Sequence, residues 1–318
     1  DDGLFVSQVF EHGAKGNNGP NIYYVEFLAG QMVQPKGTNK TYILAGDQDC
    51  RVSEVIGLDT VKDLAGGTYH HTPELAAQAA KAFAEYDLQI AGSKPLVLAR
   101  GGAAGLSYTD PVGKKTDDQH DFQVQASCDT KNLYFRYAVT SPAPLINAIV
   151  DPQMIFKGGN LLDIQIGTNM IADPKRTKPT VGDIRLLISQ RDGKPWAVLM
   201  QPKVAGFTGT PIVLTSPQGS EPFDAITATD KVLLQNYAKT ATGFTVTAVI
   251  PRDLVGLTIL KSGDTLRMDA GYIYGNIGGT GTASRAYWHN NSFTANVVND
   301  IPHESRLEPA EWGDARVE

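Results

Sequence analysis

The residues best suited to chemistry in this sequence fall in a few short runs. Tyr287-Trp288-His289-Asn290-Asn291 sets two aromatic rings beside two amides at what reads as a strand end. A pyranose shows C–H bonds on its faces and hydroxyls around its rim. It therefore stacks on Trp or Tyr while Asp, Asn, Gln or Arg take the hydroxyls. The same run reads equally well as a core tryptophan followed by an asparagine turn. Trp196 follows Gly193-Lys194-Pro195 at a hairpin exit and reads as core. Trp312, in Glu308-Pro309-Ala310-Glu311-Trp312-Gly313, reads as an aromatic plug after a Pro-bounded turn.

Other chemistries find weaker support. The adjacent His70 and His71 would point to opposite faces of a strand and could not chelate one ion together. The six histidines of the chain form no HxH or HExxH pattern. GxSxG, a P-loop and a GxGxxG leading into a helix are all missing, so no catalytic constellation is legible and enzymatic activity stays undecided. Gly275-Asn276-Ile277-Gly278-Gly279-Thr280-Gly281 is glycine-rich but joins two strands, without the helix N-terminus that holds phosphate. Cys50 and Cys128, the two cysteines, make no CxxC; a disulfide and two free thiols both remain open.

The elements that must position these residues are mostly strands. Ile22–Phe27, Thr41–Ala45, Val52–Ile56, Asp121–Ser127, Leu133–Thr140, Leu161–Ile166, Asp183–Ser189, Trp196–Met200, Phe244–Ile250, Thr265–Tyr274 and Arg285–Trp288 are rich in β-branched and aromatic residues, with turn formers between them. In Phe244-Thr245-Val246-Thr247-Ala248-Val249-Ile250 threonine alternates with apolar residues over the first four positions, as a half-buried strand requires. One segment reads as a helix, over 73–87. Thr72 stands at its N-cap, Pro73 at its first turn, and Leu75, Ala79, Phe83 and Tyr86 on one face. The pattern predicts an all-β protein: a small β region with one helix over 1–95, a connection over 96–115, and an antiparallel β-sandwich over 116–318.

Composition bounds what this architecture can serve. The 318 residues carry 42% hydrophobic side chains, enough for a buried core, and a formal charge of −6. Nucleic-acid binding along the whole chain would need a basic surface, which this balance excludes. No apolar run reaches the ~20 residues that span a bilayer. No export signal is legible at Asp1-Asp2-Gly3.

Over roughly 116–318 an ordered set of segments resembles family 9 carbohydrate-binding modules and the DOMON-like sandwiches related to them. The set is Asn132–Pro142, Phe156–Ile166, Gly182–Ile188, the Ile250-Pro251 strand end, Gly263–Asp269, Arg285–Asn291 and the ending Asp300–Gly313. More loosely, Asp2–Val6 and Arg51–Asp59 resemble the closing segment of bacterial β-propeller proteins that carry such a module. The resemblance implies noncatalytic binding of a polysaccharide by a secreted bacterial module, working outside the cell, on its surface or in the periplasm, as part of a longer polypeptide. It also implies a site in which Trp288 stacks on the sugar, flanked by Tyr287, Asn290, Asn291, Arg185 and Asp163. A strand arginine paired with Asp163 is the competing reading of Arg185. Where the family has a second stacking tryptophan, before Gly158-Gly159, this chain has Phe156. Modules of this family often hold structural calcium, for which Asp300, Glu304, Asp118 and Asp121 are the candidate oxygens and a solvated acidic turn the alternative. Some DOMON relatives bind haem through methionine, which would make Met154 a ligand; a buried packing methionine is the commoner case. The other function class open at this stage is a structural or protein-interaction module beside a larger partner domain.

Overall fold

In the computed structural model, residues 95–318 are described throughout, apart from the side chains of Phe293 and Thr294; before residue 95 only strand backbones are described. The chain divides into two compact units, Asp1–Gly92 and Ser93–Glu318.

In the first unit, β1 (Val6–Val9) pairs antiparallel with β2 (Ile22–Val25). Strands β3 (Met32–Val33), β4 (Tyr42–Gly46) and β5 (Val52–Gly57) form an antiparallel sheet, and β6 (Val61–Lys62) pairs with β7 (Thr68–Tyr69). The helix expected over 73–87, together with His70, His71 and Cys50, lies outside the described residues.

The second unit is all-β. Its strands are β8 (Leu96–Arg100), β9 (Val112–Lys115), β10 (Asp121–Cys128), β11 (Asn132–Thr140), β12 (Leu161–Gly167), β13 (Asp183–Arg191), β14 (Lys194–Gln201), β15 (Ile212–Ser216), β16 (Gly219–Phe223), β17 (Ala225–Thr229), β18 (Leu233–Lys239), β19 (Gly243–Pro251), β20 (Thr265–Gly275), β21 (Thr282–Tyr287) and β22 (Gly313–Val317). Thirteen of them join one curled sheet in the order β17-β14-β13-β12-β20-β22-β8-β10-β11-β19-β18, with β21 added to β20 and β9 to β10. Pairing is antiparallel except where β8 runs parallel to β10 and to β22. The segment read as a connection over 96–115 is thus part of the sheet: β8, a 3-10 turn at Gly102–Tyr108, and β9. Its glycines and alanines mark that tight turn rather than a linker.

Two halves of this sheet enclose one core, into which β10, β11 and β19 send every second residue: Phe122, Val124 and Ala126; Leu133, Phe135, Tyr137 and Val139; Phe244, Val246 and Ala248. The other half is covered on both faces. Leu186 and Ile188 of β13 enter that core, while Leu187, with Val198, Met200, Leu161 and Ile273, packs into a second cluster on the reverse side. The β15–β16 hairpin, the 3-10 turn Pro152–Lys157 and the short helix Ile301–Ser305 contribute Leu214, Phe223, Ile155 and Phe156 to this second cluster or flank it. Two-sided burial is why β12 and β13 read as nearly unbroken apolar runs rather than as alternation. No helix among the described residues is long and apolar enough to cross a membrane.

Candidate functional site

The polar residues that sugar recognition calls for do converge, on the covered face of β12, β13, β20 and β21. Asp163 and Arg185 project from adjacent strands, and the guanidinium grips the carboxylate at two points: Nε to Oδ1 at 3.0 Å and Nη2 to Oδ2 at 2.5 Å. The Tyr287 hydroxyl donates to Asp163 Oδ2 at 2.8 Å and accepts from Arg185 Nη2 at 3.2 Å. Room for the tyrosine comes from Gly271, its register partner, where a Cβ would stand 2.4 Å from Cδ1 of the ring.

Glu304, on the short covering helix, completes the group. Its backbone carbonyl accepts from Nη1 of both Arg185 and Arg285, each at 2.6 Å. Its carboxylate accepts from Lys157 Nζ at 2.5 Å and from Arg285 Nη2 at 3.1 Å. Two guanidiniums and the partly exposed Lys157 ammonium thus face two carboxylates, so that every buried charge has an opposite partner, which is what makes its burial tolerable. Burial by itself lowers the pKa of Arg185; the charges of Asp163 and Tyr287 more than offset it and hold the guanidinium above its usual range. Burial, reinforced by Asp163, likewise raises the Tyr287 phenol. Arg285 ends below its usual range, chiefly through burial.

Asp163 and Arg185 are 0% exposed. The competing reading of Arg185, a strand arginine paired with Asp163, is the arrangement found. Trp288 is 4% exposed and sits in the main core beside the β20 residues, so neither ring face is open to a sugar. That corrects its reading as a stacking platform. The reason is parity: Tyr287 points to the covered face and Trp288 to the core. Asn290 is buried as well; its N–H donates to Asp269 and its side chain to Glu308. Asn291 is exposed, accepts from Lys114 Nζ, and does not join the cluster. Asp269 lies next to this turn and accepts three backbone N–H bonds, from Ala270, His289 and Asn290. Burial nevertheless pushes its carboxyl up to about 7.

The calcium candidates do not form a site. Glu304 is neutralised by Lys157 and Arg285. Asp300 caps the helix Ile301–Ser305 and binds His303 and Ser216, while Asp118 pairs with Lys115 and Asp121 opens β10. Among the described residues no group of three or more His, Cys, Asp or Glu could hold a metal ion. Since calcium takes six to eight oxygens, a carboxylate already committed to a lysine and an arginine is a poor ligand, and these four residues do not fit it. Met154 packs beside the second apolar cluster. Cys128 is a buried free thiol at the end of β10, its pKa raised by that burial. Trp312 is fully buried and donates its indole N–H to Gln165, as a plug should. Trp196 is half-buried, with the Arg191 guanidinium 4.1 Å above its ring.

One open cleft lies elsewhere, at the β18 edge of the sheet. Its volume is about 340 Å³, and its lining includes Tyr237, Lys239, Thr240, Thr242, Phe244 and Pro142. The sequence reading missed it because Leu233–Lys239 was not recognised as a strand. Its signal was the Lys239-Thr240-Ala241-Thr242-Gly243 turn leading into the alternating run at Phe244.

No protein-family model matches the chain, and no curated protein matches it in sequence. Among solved structures, the chain is similar to a family 9 carbohydrate-binding module from Caldicellulosiruptor kristjanssonii in complex with cellotriose. The TM-score is 0.44 at 10% identity, over 70% of this chain and 93% of that one. The glucose complex from the same organism gives 0.43 at 10% identity, over 70% and 95%.

Proposed function

We propose that Ser93–Glu318 is a noncatalytic carbohydrate-binding module that works outside the cell or at its surface, within a longer bacterial polypeptide. The observation that carries this reading is the placement of the segments through which the sequence resembles family 9 modules. Asn132–Thr140, Leu161–Gly167, Asp183–Arg191, Thr265–Gly275 and Thr282–Tyr287 are all strands of one curled sheet. The acid, arginine and tyrosine that the resemblance implies as sugar contacts also meet, although far apart in sequence, but as a buried group of the scaffold that frames the sheet rather than as an open contact.

A second reading, a structural or interaction module, is favoured by the cover over that same group and by the burial of Trp288. Affinity electrophoresis separates the two. The full chain is run through native gels containing a panel of soluble neutral and acidic polysaccharides. Retardation by at least one of them is the expected result; unchanged mobility throughout the panel would replace the first reading with the second.

A further inference from the structure

We infer that the edge cleft beside β18 is a glycan site, in which a pyranose stacks on Tyr237 and a carboxylate carried by that sugar pairs with Lys239. The ligand class is therefore a uronate-containing polysaccharide. The inference rests on the carbohydrate-binding reading and adds where the sugar sits and what charge it bears.

The platform is built by an irregularity. Pairing of β18 with β19 shifts between Gln235↔Thr247 and Ala238↔Thr245, so Asn236 and Tyr237 together face Val246. Asn236 holds φ at 53°, a left-handed conformation that few residues other than glycine adopt. Such bulges re-aim side chains at sheet edges. Here the bulge places the Tyr237 ring over Phe244, with centroids 5.3 Å apart and planes 23° apart. Behind Phe244 stand Tyr272 and Tyr274, both buried, so the platform is backed by packed rings. One face of Tyr237 is thus occupied, yet 36% of the residue remains exposed, and it lines the cleft.

The polar groups around it are of the kind that hold a sugar. Thr240 and Thr242 line the cleft and are exposed. Their turn is anchored by Thr240 N–H to Gly243 O at 2.9 Å and by Ser141 N–H to Thr242 O at 3.0 Å. At Gly243 a Cβ would stand 1.9 Å from the Val139 carbonyl, so only glycine brings the turn this close to β11. Lys239 is the cleft's one ionisable side chain apart from the tyrosine and makes no ion pair among the described residues. An unpaired ammonium beside an aromatic face, with no carboxylate lining the cleft, selects an anionic sugar over a neutral one. The volume is at the lower end of the ~300–1,000 Å³ usual for small-molecule sites, suited to a short stretch of chain.

The test uses the full chain with polygalacturonic acid, its fully methyl-esterified form and cellotriose as probes, read by affinity electrophoresis and calorimetry. Polygalacturonic acid should bind, the ester should bind more weakly, and added salt should weaken the acid more than the ester. Tyr237→Ala should lose about tenfold or more in affinity for the acid, and Lys239→Gln should abolish the preference for acid over ester. Thermal unfolding of each variant near that of the parent chain shows that the sheet edge is intact. Should Tyr237→Ala fail that check, Tyr237→Phe and Thr242→Val probe the same cleft with less lost packing. Binding of the acid that neither Tyr237→Ala nor Lys239→Gln alters overturns the inference. So does binding of cellotriose with none of the acid, and both results leave the carbohydrate reading standing. Failure of every polysaccharide in the panel overturns both.

Discussion

Arg185 and Asp163 are diagonal neighbours on β13 and β12, joined by two hydrogen bonds and both sealed from water. Their pairing turns what the sequence offered as a ligand contact into part of the scaffold. Removing one partner strands a charge in the interior, which typically costs about 3–5 kcal/mol. Asp163→Asn should therefore destabilise the second unit by that order in urea unfolding. The double variant Asp163→Asn, Arg185→Gln should lose clearly less than the sum of the single variants. Additive losses would mean that the two groups do not depend on each other.

Burial holds the Asp269 carboxyl at about 7, well above the unfolded value near 3.8. The folded state then binds a proton more tightly than the unfolded chain does. This group's contribution to stability is fully present below its unfolded pKa and is lost as pH rises toward 7. The span of some three pKa units corresponds to a penalty of up to about 4 kcal/mol, as an order of magnitude. Asp269→Asn should flatten the stability profile between about pH 4 and pH 8 relative to the parent chain, by denaturant midpoints measured across that window. An identical slope in both proteins would place the Asp269 titration outside it.

Leu186 and Leu187 are consecutive on β13 and enter different apolar clusters. Each should cost about 2–5 kcal/mol on substitution by alanine, the range for buried leucines. On a sheet with one solvated face the outward residue would cost only a fraction of this. A near-neutral Leu187→Ala in equilibrium unfolding would show that the β15–β16 hairpin does not cover the face.

The three tryptophans differ in access: Trp196 is half-buried, while Trp288 and Trp312 are buried. Iodide should quench a fraction of the native fluorescence, and Trp196→Phe should remove most of that quenchable fraction. Persistent quenching in Trp196→Phe would reopen Trp288 as a surface residue.

Much of the sheet was legible in the sequence. Every strand expected after residue 116 is present, with ends shifted by a few residues, because β10, β11 and β19 alternate and β12, β13 and β20 are strongly apolar. The edge strands β17 and β18 were not legible, since exposed edges tolerate Gln, Asn, Lys and Thr and lose the alternating signal. Nor was β8, whose Leu96–Arg100 run looked like one apolar patch in a linker until its pairing with distant β22 and β10 gave it a place. At the candidate site, residue types proved easier to read than exposure. Asp163, Arg185 and Tyr287 do meet, but what covers them comes from Glu304 and the β15–β16 hairpin, and no local pattern announces a cover built from distant segments.

The position of β22 bears on how such a protein is made. Among the described residues, strand Gly313–Val317 lies between β20 and β8, and strand pairing passes from one half of the sheet to the other through it. During synthesis each half can gather its own hairpins, but the ladder cannot be closed until these late residues leave the ribosome. A chain that stalls or is clipped just before them would leave unpaired the edge of β8 and the Thr265–Met268 stretch of β20, two open templates for pairing with other chains. Quality control of this unit therefore turns on β22.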